Sequence, residues 1–259
     1  VKGRLLTVLS LILATSSSCN NIGVDKQQTP PPPIVDILTP PKEPKEYEGF
    51  TVIEEGQDPY RCVGQVYDKD HVMVGSAVQI TETIVLTAGH CIDGTNLMYF
   101  RVGETDYVIK EQILHPRFKI GENIVNDIGI LVLQEKTCIT ELPEITYDKS
   151  NLTRYEELTT IGFSHCIKKK SNPGSFYYFG IVLEDPFEFK FNSTKGAHVW
   201  FGDSGGAVFE DTGKLCGVIS SFRLHDLTIT EMSATPLFYH KEWIKKTIEE
   251  HKPDRLLGF

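Results

Sequence analysis

Several things are scarce in this sequence, and each scarcity removes a class of function. Basic residues are outnumbered, with 26 Lys and Arg against 35 Asp and Glu, for a net charge of −9. Such a balance leaves no broad basic face for a phosphate backbone, so no nucleic-acid partner is expected. The apolar run at residues 5–14 is too short to span a bilayer. No βαβ alternation is visible, which disfavours a parallel α/β sheet, and no repeat occurs at solenoid periods. No group of His and Cys has zinc spacing, so neither a metal nor a cofactor is expected.

What remains is ordinary globular composition, 40% hydrophobic and 24% charged over 259 residues. That length suits one large domain or two small barrels sharing an interface, with tails. Residues 1–18 read as a signal peptide: Lys2 and Arg4 give a basic start, residues 5–14 a short apolar run, and residues 15–18 are small. The chain is therefore expected to be exported, and to be secreted, periplasmic or anchored at the cell envelope. Cys19 has two readings. Small residues before it and a polar stretch after it resemble the bacterial lipoprotein signal, in which the Cys carries the lipid and attaches the protein to a membrane. Plain secretion with cleavage nearby is the other reading, and Ser16 stands where the lipoprotein pattern has Leu. Residues 19–48 read as a linker. Their run TPPPPIVDILTPPKEPKE holds most of the prolines, which suits an extended polyproline II spacer.

From residue 49 the texture changes. Short stretches such as VMVGSAVQI, TIVLTAGH, DIGILVL, LTTIGF and LCGVISSF alternate with turn residues. Their length and their Val, Ile, Tyr and Phe content point to an all-β sandwich or barrel. Residues 237–250 differ: Leu237, Ile244 and Ile248 share one stripe at helical spacing, with Trp243 beside it, predicting a C-terminal amphipathic helix that ends near Pro253.

Three segments carry chemistry: Thr87-Ala88-Gly89-His90-Cys91, Asn126-Asp127-Ile128-Gly129, and Gly202-Asp203-Ser204-Gly205-Gly206. A serine hydroxyl is a poor nucleophile at neutral pH and needs a base within reach, for which imidazole titrates in the right range. The imidazole in turn needs a carboxylate to fix its tautomer, and the tetrahedral intermediate needs donors for its oxyanion. Taken singly, the His could be a core residue, the Asp a turn cap and the Gly-rich segment a tight turn. Together, in the order His, Asp, Ser, they resemble the trypsin/chymotrypsin family of serine peptidases.

The resemblance covers roughly residues 50–250. It implies two packed six-stranded Greek-key barrels with a C-terminal helix, so residues 49–259 are expected to be the peptidase domain. It makes His90 the general base, Asp127 its orienting partner and Ser204 the nucleophile, with the amides of Gly202 and Ser204 as the oxyanion hole. It places His198, Ser220 and Phe222 at the substrate. Proteins or peptides are the expected substrates and a monomer the expected state. A binding module that has lost catalysis and an esterase with the same triad are the alternatives on this fold.

Three departures qualify the resemblance. Six cysteines in an exported chain suggest disulfides. However, the family's partner for Cys91 is missing from Val74-Gly75-Ser76-Ala77, so Cys91 is either free or paired elsewhere, with Cys62 one candidate. The base of the primary pocket, Asp in trypsins, is His198 here, which argues against cleavage after Lys or Arg. Many family members also mature by a cut whose new Ile or Val amine pairs with the Asp before the nucleophile. Asp203 is present, but Phe50-Thr51-Val52-Ile53-Glu54 lacks the junction, so either a cut falls near Val52 or Asp203 has another partner.

Overall fold

A computed structural model gives the structure of residues 46–47, 50–54, 58–121, 124–148, 158–164, 167–171, 176–179, 188–192, 199–225 and 228–252. The expected signal peptide, Cys19 and most of the linker lie outside these residues. In chain order the first ten strands are β1 (Glu46–Tyr47), β2 (Phe50–Val52), β3 (Val63–Asp68), β4 (Met73–Gln79), β5 (Ile84–Thr87), β6 (Leu97–Val102), β7 (Thr105–Leu114), β8 (Lys119–Ile120), β9 (Ile124–Val125) and β10 (Gly129–Leu133). A one-turn helix, α1 (Gly89–Ile92), follows β5. The remaining strands are β11 (Thr159–Ser164), β12 (Ile167–Ser171), β13 (Phe176–Phe179), β14 (Glu188–Asn192), β15 (Ala207–Phe209), β16 (Leu215–His225) and β17 (Thr228–Pro236). A 3₁₀ turn (Leu237–His240) then leads into α2 (Lys241–Glu250).

Six strands close into a barrel in the order β10-β5-β4-β3-β6-β7. The second half forms one sheet in the order β1-β2-β12-β11-β15-β16-β17-β14-β13. It has nine strands because β1 and β2, from residues 46–52, join the seven that follow residue 158. Strand β1 falls inside the stretch expected to be linker: Glu46 and Tyr47 pair with Thr51 and Phe50. The all-β, two-part architecture follows the expectation from the short apolar stretches.

Period-two alternation explains why the halves pack. On β5, Val85 points into the barrel with Val66, Ala77, Phe100 and Leu131, whereas Ile84 and Leu86 point out. On β10, Ile130 and Val132 likewise point out and Leu131 and Leu133 in. The outward residues meet Ile161, Ala207, Phe209, Leu215 and Val218 of the second half, together with Leu237 and Ile244 from the C-terminal elements. On β15, Val208 faces the other way, into a third cluster with Leu158, Cys216 and Ile219. Each Val, Leu, Ile or Phe side chain among these contributes about 1.5–3 kcal/mol by leaving water, so the shared core fixes how the halves meet. The amphipathic stripe read from the sequence is the seam that seats α2: Leu237 and Ile244 are fully buried, and Trp243 and Ile248 pack beside them.

The expected disulfides are not formed among the described cysteines: Cys62, Cys91, Cys138 and Cys216 are all free. Cys91 faces Gly75, where a Cβ would lie 2.9 Å from its sulfur, so the position opposite it has no thiol to offer. Cys62 is buried in the shared core and Cys216 in the second-half cluster, where its thiol donates to the Val208 carbonyl at 3.3 Å. Burial pushes the Cys62 thiol up to about 11 and raises Cys216 well above the ordinary thiol range, so neither is primed for exchange. Cys166 lies outside the described residues.

Candidate active site

The site lies where the barrel meets the second sheet. The barrel supplies His90 from α1 and Asp127 from the junction of β9 and β10. The second half supplies Ser204, from the turn before β15, and Ser220 from β16.

Asp127 is the hub. It follows Asn126, whose backbone is left-handed (φ 53°) and whose side-chain amide donates to the Arg117 carbonyl at 2.8 Å. That turn directs Asp127 inward, and its side chain is fully buried. Oδ1 accepts the His90 backbone amide at 2.8 Å, and Oδ2 lies 2.8 Å from His90 Nδ1. Ser220 Oγ donates to the same Oδ2 at 2.6 Å, and Thr235 Oγ1 holds the Asp127 carbonyl at 2.9 Å. An ionised carboxylate only accepts, so Nδ1 carries the proton and Nε2 of a neutral ring is left as the acceptor.

The pKa shifts of the two groups agree in sense. Burial works against charge on both. For His90 it is outweighed by the Asp127 carboxylate and by hydrogen bonds to Asp127 and the Cys91 sulfur, so the imidazole is held well above 6.5. For Asp127 it is outweighed by the imidazolium and by donation from His90 and Ser220, so the carboxyl is lowered.

Ser204 reaches the hub through Ser220. Its hydroxyl donates to the Ser220 carbonyl at 3.2 Å, and among the described residues no hydrogen bond joins it to His90. One residue thus carries both links, by side chain to Asp127 and by carbonyl to Ser204. Two glycines make the Ser204 turn possible. Gly202 has φ +99° and Gly205 φ +86°; a Cβ on the first would sit 2.5 Å from the Phe163 carbonyl oxygen, and on the second 2.0 Å from that of Ser76. Among the described residues the Gly202 and Ser204 amides donate to no backbone carbonyl.

Two residues that hold this turn carry no motif. Ser76 on β4 stitches the halves together: its amide donates to the Ser204 carbonyl at 2.7 Å and its hydroxyl to the Gly202 carbonyl at 2.7 Å, while the hydroxyl accepts the Phe163 amide at 2.9 Å. Lys169 on β12 places its ammonium 2.7 Å from Asp203 Oδ2, with both side chains almost fully buried. Ser76 stands next to the position of the missing cysteine and gave no other sign. Lys169 sits in a run of three lysines that reads as solvated surface.

Phe222 is half-buried and packs with the two residues before Gly202. It stacks on Trp200 at 5.7 Å between ring centres and meets Phe201 edge-on at 5.3 Å. His198, expected at the base of the pocket, lies outside the described residues.

Comparison with known proteins agrees with this geometry. The trypsin family profile matches residues 49–244. Mouse "Vitamin K-dependent protein C" is 28% identical over 101 residues, which is 35% of this chain and 21% of that protein. The match thus spans about a fifth of that relative's length. With three quarters of its length matched by the family profile, the chain belongs to the trypsin family of serine peptidases.

Proposed function

We propose that the chain is a serine endopeptidase working through an acyl-enzyme, with His90 as general base, Asp127 as its orienting carboxylate and Ser204 as nucleophile. The observation that carries this reading is the continuous set His90–Asp127–Ser220–Ser204, in which one buried carboxylate fixes the imidazole tautomer and Ser220 brings the serine to it.

With His90 neutral, Nε2 is the available base. The Ser204 hydroxyl turns from the Ser220 carbonyl toward Nε2 and gives up its proton as Oγ bonds to the scissile carbonyl carbon. The carbonyl electron pair moves onto oxygen, where the Gly202 and Ser204 amides receive it. The imidazolium, stabilised by Asp127, then protonates the leaving amine as the C–N bond breaks. Water repeats the sequence on the acyl-enzyme and restores Ser204. The Trp200–Phe201–Phe222 cluster, and a stretch from Gly196 to Val199 without a carboxylate, support a primary pocket that does not favour Lys or Arg. Proteins or peptides are the substrates on this reading. The chain acts outside the cytoplasm, either secreted or held at a membrane through Cys19, and mass spectrometry of the mature N-terminus separates the two.

The test is hydrolysis of an unfolded protein such as reduced casein. Ser204→Ala should lower turnover by roughly a thousand-fold or more while the variant stays folded. Hydrolysis that persists in Ser204→Ala would exclude Ser204 as the nucleophile.

A further inference from the structure

The ion pair between Asp203 and Lys169 takes no part in the chemistry just described. It sits directly beneath the turn that carries Gly202 and Ser204. Asp203 Oδ2 accepts the Trp200 amide at 2.7 Å and the Lys169 ammonium at 2.7 Å. The same residue closes the turn with its backbone: its amide donates to the Trp200 carbonyl at 3.0 Å and its carbonyl accepts the Gly206 amide at 2.9 Å. The place of this carboxylate therefore sets the backbone on both sides of Ser204. Its side chain is 1% exposed and that of Lys169 5%. A carboxylate withdrawn this far from water needs a cation against it.

The sequence left two sources for that cation, a new chain end near Val52 or another partner. Residues 50–53 are built into the sheet beside Lys169. Val52 lies opposite Lys169 in the ladder, Thr51 opposite Lys170 and Phe50 opposite Ser171, and the Ile53 amide donates to the Lys168 carbonyl at 3.0 Å. On its other edge β2 is paired by β1. The Phe50 ring centre lies 5.3 Å from the Lys169 ammonium and covers the pair. The neighbouring Lys168 ties the next stretch to the same strand, reaching Asp58 Oδ2 at 2.5 Å and the Tyr60 and Val63 carbonyls at 2.6 and 2.8 Å. An amine freed near Val52 would have to strip β2 from its neighbours and would find Asp203 already paired.

We propose that Lys169 is a built-in counter-ion that holds the Ser204 turn in its working shape, so that the site is complete without any cut between β1 and β3. This rests on the reading of Ser204 as the nucleophile. Lys169 is a positioning residue: it acts on the turn through Asp203 and touches no substrate.

The test uses the full chain, shown by intact mass to be uncut between residues 46 and 63. The uncut wild type should hydrolyse a peptide in a Ser204-dependent way. Lys169→Met should lower kcat by about a hundred-fold with a smaller change in KM, since a turn displaced by an ångström misplaces the oxyanion donors. It should also shift Trp200 emission, because the Trp200 amide is bonded to Asp203. Because Lys169→Met strands a buried carboxylate, the double variant Lys169→Met/Asp203→Asn serves as the folded comparison and should show the same loss of kcat. Ethylammonium should restore activity to Lys169→Ala. A wild type that is inert until cut near Val52 overturns the proposal and leaves the peptidase reading standing. A folded double variant with wild-type kcat overturns it as well. If neither cut nor uncut chain hydrolyses peptide, the peptidase reading fails and this proposal with it.

Discussion

His240 provides a measurable link between the core and pH. Its ring is 2% exposed, and neither ring nitrogen has a hydrogen-bond partner among the described residues. It meets the edge of His115, with ring centres 4.8 Å apart, and His115 in turn packs edge-on against Trp243. Burial, then His115 and Arg117, push His240 from 6.5 down to about 3. Burial and Arg117 push His115 down to about 4, and its Nδ1 accepts the Arg117 amide at 3.3 Å. In the folded state His240 therefore stays neutral at pH 5, whereas in the unfolded chain most of it takes up a proton. The unfolded state binds more protons, so stability is fully present above about pH 6.5 and falls as pH drops toward the folded value. Between pH 8 and pH 5 the loss at this one residue is about 2 kcal/mol, and it changes little for any folded value well below 5. His240→Phe removes the titration while keeping an aromatic ring in the site. Urea unfolding followed by tryptophan emission at pH 8, 7, 6 and 5 should give a stability curve for the variant that is flatter than wild type by about 2 kcal/mol over that range. Parallel curves for the two proteins would refute the reasoning.

Further outcomes follow from the site. Because His90 must be neutral to act and is held well above 6.5, the acid limb of kcat/KM should fall on the alkaline side of 6.5; a limb at or below 6.5 would contradict the Asp127 pairing. Ser220→Ala removes a charge-assisted donor from Asp127 and should cost about 1.5–3 kcal/mol in chemical denaturation, together with a loss of turnover; an unchanged midpoint would count against Ser220 as the bridge. Gly205→Ala places a Cβ 2.0 Å from the Ser76 carbonyl oxygen at φ +86°, and should destabilise by roughly 2–5 kcal/mol, read as a lower urea midpoint. Among peptides that differ only at the cleaved residue, those with Lys or Arg should not be the fastest.

The three motif segments were legible because their chemistry demands particular residues at fixed spacing, and the all-β class was legible because strands with one core-facing side alternate. The supports of the site were not. Lys169 lies between Lys168 and Lys170, and composition makes all three look like solvated surface; pairing on β12 instead turns Lys169 toward Asp203 of the same half, and Lys168 on the opposite face toward Asp58 and the Tyr60 and Val63 carbonyls. Ser76 contacts Ser204 over more than a hundred positions of sequence, and a lone serine in an apolar stretch does not announce such a partner. The cysteines misled because export and an even count suggest disulfides, whereas Gly75 opposite Cys91 leaves that thiol without a mate. The nine-stranded sheet was hidden for a related reason: β1 and β2 are two and three residues long and exist through pairing rather than through their own pattern.

The most direct measurement of the central claim is reaction of the full chain with a fluorophosphonate, followed by peptide mapping. A single adduct on Ser204, absent after prior unfolding and strongly slowed by His90→Ala, is the expected result. No adduct, or an adduct at another serine with Ser204 unmodified, would contradict the account of this site.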